Sequence, residues 1–406
     1  MTADPTKLTH LKEENTKIAT WLAFGLLPLS GFATDIYIPS LPSMAGALHA
    51  TEAEVQLTLS LFLISYGVTQ LFVGSILDSF GRYKLGLYGL FIFAVASFVI
   101  ASTDNIYIIY LMRIVHGLTV GAVVTAKRAF FVDVYEGEKR KHYLSLFTII
   151  WSAGPIVAPF LGGYFQTAFG WESNFYFLAG LALVFGILEI IFSGETARHF
   201  LDFKIRQVAT VYGNMLKSFD FVLGIAMLGV AYSMVMVYNM TGPFIIEHYF
   251  NRTPIVAGYS SLLVGFAWTV GGAISKSTIN KPFFLKMSIN QALQLVFGLG
   301  MFLSIYWISN LQSMLFFAFL IHIGAGFTFT NYFTYCLGRF PQNAGISSGL
   351  TGGFTYIIVS IFSYLVVNIF PAKDETNLSF SYLLLIGLSI IVMMVIYRSR
   401  AQNRTT

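Results

Sequence analysis

Charge is what this chain has least of. Of 406 residues, only 11% are Asp, Glu, Lys or Arg, against about 25% in a typical soluble domain. That is too little to clothe a water-exposed surface. Cysteine is almost absent: Cys336 stands alone, which excludes a disulfide within the chain and a thiolate metal cluster. There is no phosphate-cradling P-loop, so an ATP-driven cycle would need a motor from another chain. Metal-ligand pairs are missing too, which argues against an intramembrane metalloenzyme. No cofactor is expected. The longest polar interval is residues 194–219, too short for a soluble sensing domain, so a receptor or scaffold is disfavoured.

Apolar residues supply what charge does not. They make up 56% of the chain, and mean hydropathy is +0.71. They fall into twelve blocks: 18–42, 54–77, 83–102, 106–127, 143–168, 174–193, 220–242, 255–275, 286–308, 312–336, 345–370 and 379–397. Each is long enough, at 1.5 Å per residue, to cross about 30 Å of hydrocarbon. The first follows a charged stretch and is too long and too late in the chain for a cleaved signal peptide, so it is expected to be a retained helix. The 40 Phe and 22 Tyr exceed what interfacial belts need, so many must line the interior.

The basic residues set an orientation. Lys7, Lys12, Lys17, Arg82, Lys84, Lys127, Arg128, Lys139, Arg140, Lys141, Arg198, Lys204, Arg206, Lys217, Lys276, Lys281, Lys286, Arg339, Arg398, Arg400 and Arg404 fall on one side of the blocks. Only Arg252 and Lys373 fall on the other. By the positive-inside rule both termini are cytoplasmic. The net charge of +5 then faces an anionic leaflet, and no nucleic-acid partner is needed to explain it.

The interval 194–219 divides the blocks six and six, giving an N-terminal half (1–193), a central cytoplasmic loop (194–219) and a C-terminal half (220–406). Pro42 with Thr51 nine residues on echoes Pro243 with Thr253 ten on. Paired six-helix halves predict a repeat-built secondary transporter with its substrate site between the halves.

Four stretches sharpen this. Gly74-Ser75-Ile76-Leu77-Asp78-Ser79-Phe80-Gly81-Arg82-Tyr83-Lys84 resembles the G-x-L-x-D-R-x-G-R-K/R loop of the major facilitator superfamily, with Ser79 where the family usually has Arg. Its glycines allow a tight turn and close approach, and Asp78 with Arg82 can form a charge cluster that breaks and remakes. The alternative is a solvated turn carrying positive-inside charge. Arg113-x-x-His116-Gly117-x-x-x-Gly121, ending near Asp133, resembles that superfamily's R-x-x-Q-G-x-G pattern, with His116 for Gln. Gly154-Pro155-Ile156-Val157-Ala158-Pro159-Phe160-Leu161-Gly162-Gly163 is similar to the G-P-x-x-x-P-x-x-G-G element of its antiporters. Asp35-Ile36-Tyr37-Ile38-Pro39-Ser40-Leu41-Pro42 resembles the D-x-Y-x-P-x-x-P stretch of drug–proton antiporters of the Bcr/CflA type. Further likeness comes from Gly170-Trp171-Glu172, Gly242-Pro243-Phe244 and Ala344-Gly345-Ile346-Ser347-Ser348-Gly349.

The resemblance implies an all-α membrane protein with the major facilitator fold: twelve transmembrane helices in two six-helix bundles, working by alternating access. It implies Asp35 as the proton-carrying acid and Arg113 as its neighbour. Helix rise supplies an independent check. Asp35 lies about 12 Å from the end of its block near Ser43, and Arg113 about 12 Å from Asn105, so the two would sit level if their helices adjoin. A mid-membrane arginine or carboxylate is costly and functional by default; the alternatives are a snorkelling arginine and a headgroup-level carboxylate.

Tyr37, Tyr238, Asn239, Asn331 and Tyr332 are candidate substrate contacts, with Tyr66, Phe244 and Phe329 as further aromatic walls for flat cations. His322 is a plausible cavity group, whereas Glu189 is expected to reach the headgroups. Gly74, Asp78, Gly81, Arg82 and Asp133 are the candidate gate; Gly154, Pro155, Pro159, Gly162 and Gly163 are the antiporter element. The expected function is proton-coupled export of small amphipathic molecules across a bacterial inner membrane by a monomer, with substrate, protons and the lipid bilayer as partners. The rivals are a dedicated exporter of one siderophore, sugar or amino acid, and a proton-coupled importer.

Overall fold

The computed structural model describes residues 10–197, 200, 205–340, 342 and 344–402. Lys7, Arg198, His199, Asp202, Lys204 and Arg404 lie outside them. Among the described residues the secondary structure is helical, apart from an isolated bridge between His10 and Glu195.

Eleven helices among the described residues are long and apolar enough to cross a membrane. One expected span is not among them. It corresponds to the helix Gly137–Phe169, where the side chains at 148–149 and 151–152 are not described.

In chain order the segments are α1 (Glu13–Ala47), α2 (Glu52–Phe80), α3 (Tyr83–Ala101), α4 (Ile106–Val134), α5 (Gly137–Phe169) and α6 (Glu172–Phe192), then the short α7 (Ile205–Leu216). They continue with α8 (Phe219–Tyr249), α9 (Pro254–Ser277), α10 (Phe283–Ser304), α11 (Leu311–Arg339), α12 (Ala344–Ile369) and α13 (Glu375–Gln402). Short turns join successive long helices within each set and make them antiparallel, and the longer interval with α7 joins the two sets. The described chain ends therefore lie at one end of the bundle, called here the terminal end; the turn at residues 48–51 marks the distal end.

Packing repeats with a regular offset. α2 lies on α4 as α9 lies on α11, and α3 lies on α6 as α10 lies on α13. Two long contacts join the sets, α2 with α12 and α5 with α9. Both are close because they run over glycine. A Cβ at Gly67 would stand 2.7 Å from the Gly353 carbonyl oxygen, and one at Gly258 the same distance from that of Pro159. Ser360 adds a hydroxyl bond to the Ser60 carbonyl (2.7 Å).

Local sequence explains the breaks. α1 was expected as one helix over 18–42. Instead it divides into Thr16–Leu26, Leu29–Asp35, a 3-10 turn Ile38–Ser40 and Leu41–Ala47, because Pro28, Pro39 and Pro42 withhold the N–H groups an unbroken helix needs. α2 starts at a capping box: the Thr51 hydroxyl accepts from Glu54 N–H, and the Glu54 carboxylate accepts from Thr51 N–H (2.8 Å). The central interval, expected as loop, contains α7. Met215 of α7 is buried, with Val211 and Tyr212 half-buried beside it, against Phe221 and Leu350. Cys336 is buried in the same cluster.

Candidate functional site

Asp35 ends the second piece of α1 and is 1% exposed. Its Oδ1 accepts a hydrogen bond from Asn239 Nδ2 of α8 (3.2 Å), while Oδ2 has no hydrogen-bond partner among the described residues. One oxygen is thus tied across the two helix sets, and the other is an open acceptor deep in the bundle.

Arg113 lies within electrostatic reach of Asp35, yet among the described residues the two form no ion pair. The guanidinium of α4 is instead held by its surroundings: Nη1 donates to the Ala33 carbonyl (2.8 Å), Nε to that of Thr58 (3.4 Å) and Nη2 to the Tyr37 hydroxyl (3.3 Å). The rings of Tyr37 and Phe62 lie 4.6 and 4.5 Å from its central carbon. His116 Nδ1 is 3.3 Å from Nη1, and its Nε2 is 3.0 Å from the Ser97 hydroxyl. Tyr37 also meets the Thr58 hydroxyl (2.9 Å). A fully buried arginine is tolerable only with such complete coordination. Tyr37 therefore serves as a brace for Arg113.

The remaining candidates scatter. Tyr238 packs edge-on against His322 (5.6 Å), which in turn meets Tyr382 (5.8 Å). Asn331 donates back to the Phe327 carbonyl of its own helix (2.8 Å). Tyr332 packs on Phe283 (5.3 Å), in the cluster that holds Met215 and Phe221.

The aromatic surface near Asp35 is a different one. Tyr66 of α2 meets Tyr356 of α12 (4.8 Å), Tyr356 meets Tyr232 of α8 (5.8 Å), Tyr232 meets Trp268 of α9 (5.6 Å), and Trp268 meets Phe329 of α11 (5.0 Å). Tyr232 and Tyr356 lie within electrostatic reach of Asp35. Four of the five rings are only half-buried although they sit mid-bundle, so they border interior space. Sequence reading named Tyr66 and Phe329 but missed Tyr232, Trp268 and Tyr356. In a chain that is 17% aromatic, nothing local marks them.

At the terminal end Arg82 pairs with Asp78 (2.9 Å) and with Asp133 of α4. Asp133 also accepts from the Thr196 hydroxyl (2.9 Å). Ser79 bonds back to the Ser75 carbonyl, leaving Arg82 to serve both acids. Sequence reading missed Glu195. Its carboxylate accepts from the N–H groups of Arg82 (3.2 Å), Tyr83 (3.1 Å), Thr196 (3.0 Å) and Ala197 (2.9 Å). It thereby caps the positive end of α3. Gly81 has φ +93°, and a Cβ there would stand 2.5 Å from that carboxylate. Gly74, by contrast, faces open space within α2, so neither turn nor close packing requires it. Glu189, expected to reach outward to the headgroups, is instead turned into the protein: it is buried, and it pairs with Lys127 (2.5 Å).

The glycines of α5 make close contacts. A Cβ at Gly154 would meet the Pro28 carbonyl oxygen (2.8 Å), one at Gly162 would collide with that of Ile36, and one at Gly163 would meet that of Pro254 (2.7 Å). Pro155 packs against Gly31 and Pro159 against Gly258. Thus α5 is wedged between the Asp35 region of α1 and α9.

This arrangement is that of a multi-pass membrane transporter, and residues 23–364 match the family model of the Major Facilitator Superfamily. The chain belongs to that family; it is a transporter of small molecules and not an enzyme. It is 25% identical over 400 residues to Multidrug resistance protein D of Escherichia coli, covering 97% of this chain and 98% of that one. It is 26% identical over 375 residues to YdgK of Bacillus subtilis, an uncharacterised MFS-type transporter, covering 88% and 91%. The xylose transporter XylE from E. coli, in a partially occluded inward-open conformation, superposes with a TM-score of 0.68 at 13% identity, over 95% of this chain and 99% of that one. That similarity speaks to fold.

Proposed function

We propose that this protein is a proton-coupled antiporter of the Bcr/CflA type that exports small amphipathic molecules from the cytoplasm. In this reading twelve helices span a bacterial inner membrane, in halves 1–193 and 220–406 joined by 194–219, with both termini cytoplasmic and the protein acting as a monomer. The observation that carries it is Asp35: a buried carboxylate with one oxygen bonded across the halves to Asn239 and the other open. Relatives that bear the name multidrug resistance protein support drugs as the cargo.

The chemistry follows from competition. Ionised Asp35 attracts either a proton or a cationic substrate to Oδ2, and neither leaves room for the other. Protonation also weakens the carboxylate as an acceptor for Asn239, because hydrogen bonds to charged groups are the stronger ones. The tie between halves therefore changes with proton occupancy. Alternating access needs that link between a local charge and the rocking of the two sets. Arg113, already coordinated by Tyr37, Ala33 and Thr58, keeps a fixed positive charge within electrostatic reach of Asp35. The aromatic row from Tyr66 to Phe329 offers flat, adaptable surface to the apolar part of the cargo.

Drug challenge of a host stripped of its own pumps, with and without an uncoupler at constant ATP, tests the reading. Protection against several chemically unrelated compounds, lost with the uncoupler, is the expected outcome. Protection that survives the uncoupler excludes proton coupling, and export of one metabolite only makes the protein a dedicated exporter. Uptake into inverted vesicles fixes direction.

A further inference from the structure

A groove of about 380 Å³ runs between α10 and α13 on the outer face of the bundle, at its terminal end. Leu285, Met393 and Met394 line it, and Ser288, Tyr397 and Arg398 supply its polar groups. The rings of Phe284 and Tyr397 meet edge-on within it (5.4 Å). Leu285, Met394 and Tyr397 are exposed, and Arg398 makes no ion pair among the described residues. The nearby Lys286 is engaged elsewhere, donating to the Thr278 carbonyl and lying over Phe283 and Phe327.

Both helices are long and apolar enough to cross a membrane, and the groove is on their outer side, where lipid would adjoin a membrane-spanning bundle. An apolar floor of Leu285, Met393 and Met394 with a basic residue at one end suits an acyl chain that carries an anionic headgroup. Its basic end sits where one leaflet's headgroups begin. We propose that the groove binds an anionic phospholipid, with the phosphate on the Arg398 guanidinium and one acyl chain along Leu285, Met393 and Met394. A guanidinium matches a phosphate in two-pronged geometry. The exposed Lys281 at the same end adds the field that favours an anionic headgroup over a zwitterionic one. The assignment rests on the proposed orientation, in which this end meets the anionic cytoplasmic leaflet.

Native mass spectrometry of the full chain tests it, using detergent micelles doped with equal amounts of dioleoyl phosphatidylglycerol and dioleoyl phosphatidylethanolamine. The wild type should retain phosphatidylglycerol preferentially. Arg398→Ala should lower that retention about fivefold, the change expected for one basic side chain at an anionic surface. Ser288→Trp, which fills the groove while leaving Arg398, should lower retention of both lipids. Equal retention of the two lipids by the wild type, or unchanged phosphatidylglycerol on Arg398→Ala, overturns the proposal. The readout is lipid mass, so it stands or falls separately from export.

Discussion

Asp35→Asn keeps the shape of the side chain and can still accept from Asn239, but it can no longer take up and release a proton. We expect uphill export to vanish while the protein remains folded and exchanges substrate down its gradient. Reconstituted vesicles with an imposed pH gradient measure this; accumulation equal to wild type would remove Asp35 from the mechanism. The buried pair Lys127–Glu189 behaves differently. Glu189→Gln strands a lysine whose side chain is only 9% exposed, at a cost of about 3–5 kcal/mol. A clear fall in thermal stability is the expected result, seen by fluorescence-detected size exclusion. At this scale the sequence revealed the candidates but not their partners. Counting residues along two helices put Asp35 and Arg113 level. It could not show that Asn239, 204 positions away, is the residue that hydrogen-bonds Asp35, with Arg113 in electrostatic reach but bonded to other groups. Nor could it show that Glu189 finds Lys127, since pairing between helices leaves no local pattern.

Glycines within helices make opposite predictions according to what a methyl group would meet. Gly154→Val presses on the backbone of α1 at Pro28, which cannot swing aside as a side chain can; overpacking of this kind costs about 1–3 kcal/mol. Transport should fall sharply with membrane insertion intact. Gly74→Ala meets nothing and should be neutral in transport, or stabilising by up to about 1 kcal/mol through helix propensity. Turnover and melting temperature measured on both variants decide the matter. Normal turnover in Gly154→Val would show that the α5 contacts carry no function. The helices themselves were largely legible: the block 143–168 lies within α5 and 54–77 within α2. The observed helices run longer because their ends continue past the apolar run into polar turns. α7 was not legible. It is short, and its apolar residues form only one face among polar ones, a pattern that a search for membrane-spanning blocks passes over.

Across the whole molecule, the two helix sets meet over glycine seams, and α7 fastens one of them. The Tyr212 hydroxyl donates to the Leu71 carbonyl of α2 (2.6 Å) and lies near Gly349 of α12. Burial pushes this phenol up to about 12, so it remains a protonated donor throughout the physiological range and the clasp is insensitive to pH. Tyr212→Phe should loosen the terminal end of the α2–α12 seam, raising the reactivity of a cysteine placed at Gln70 toward a membrane-impermeant thiol reagent in inverted vesicles. Unchanged reactivity would mean that the seam holds without the clasp. That measurement is practical because of Cys336. The chain's one native thiol is fully buried, with Gly224 packed against its sulfur, out of reach of a bulky polar label. The natural sequence is therefore close to a silent background for spectroscopy. A pair of reporters introduced at the two ends of the bundle should take up label with little competing signal, and the distance between them could be followed through a transport cycle without first rebuilding the core.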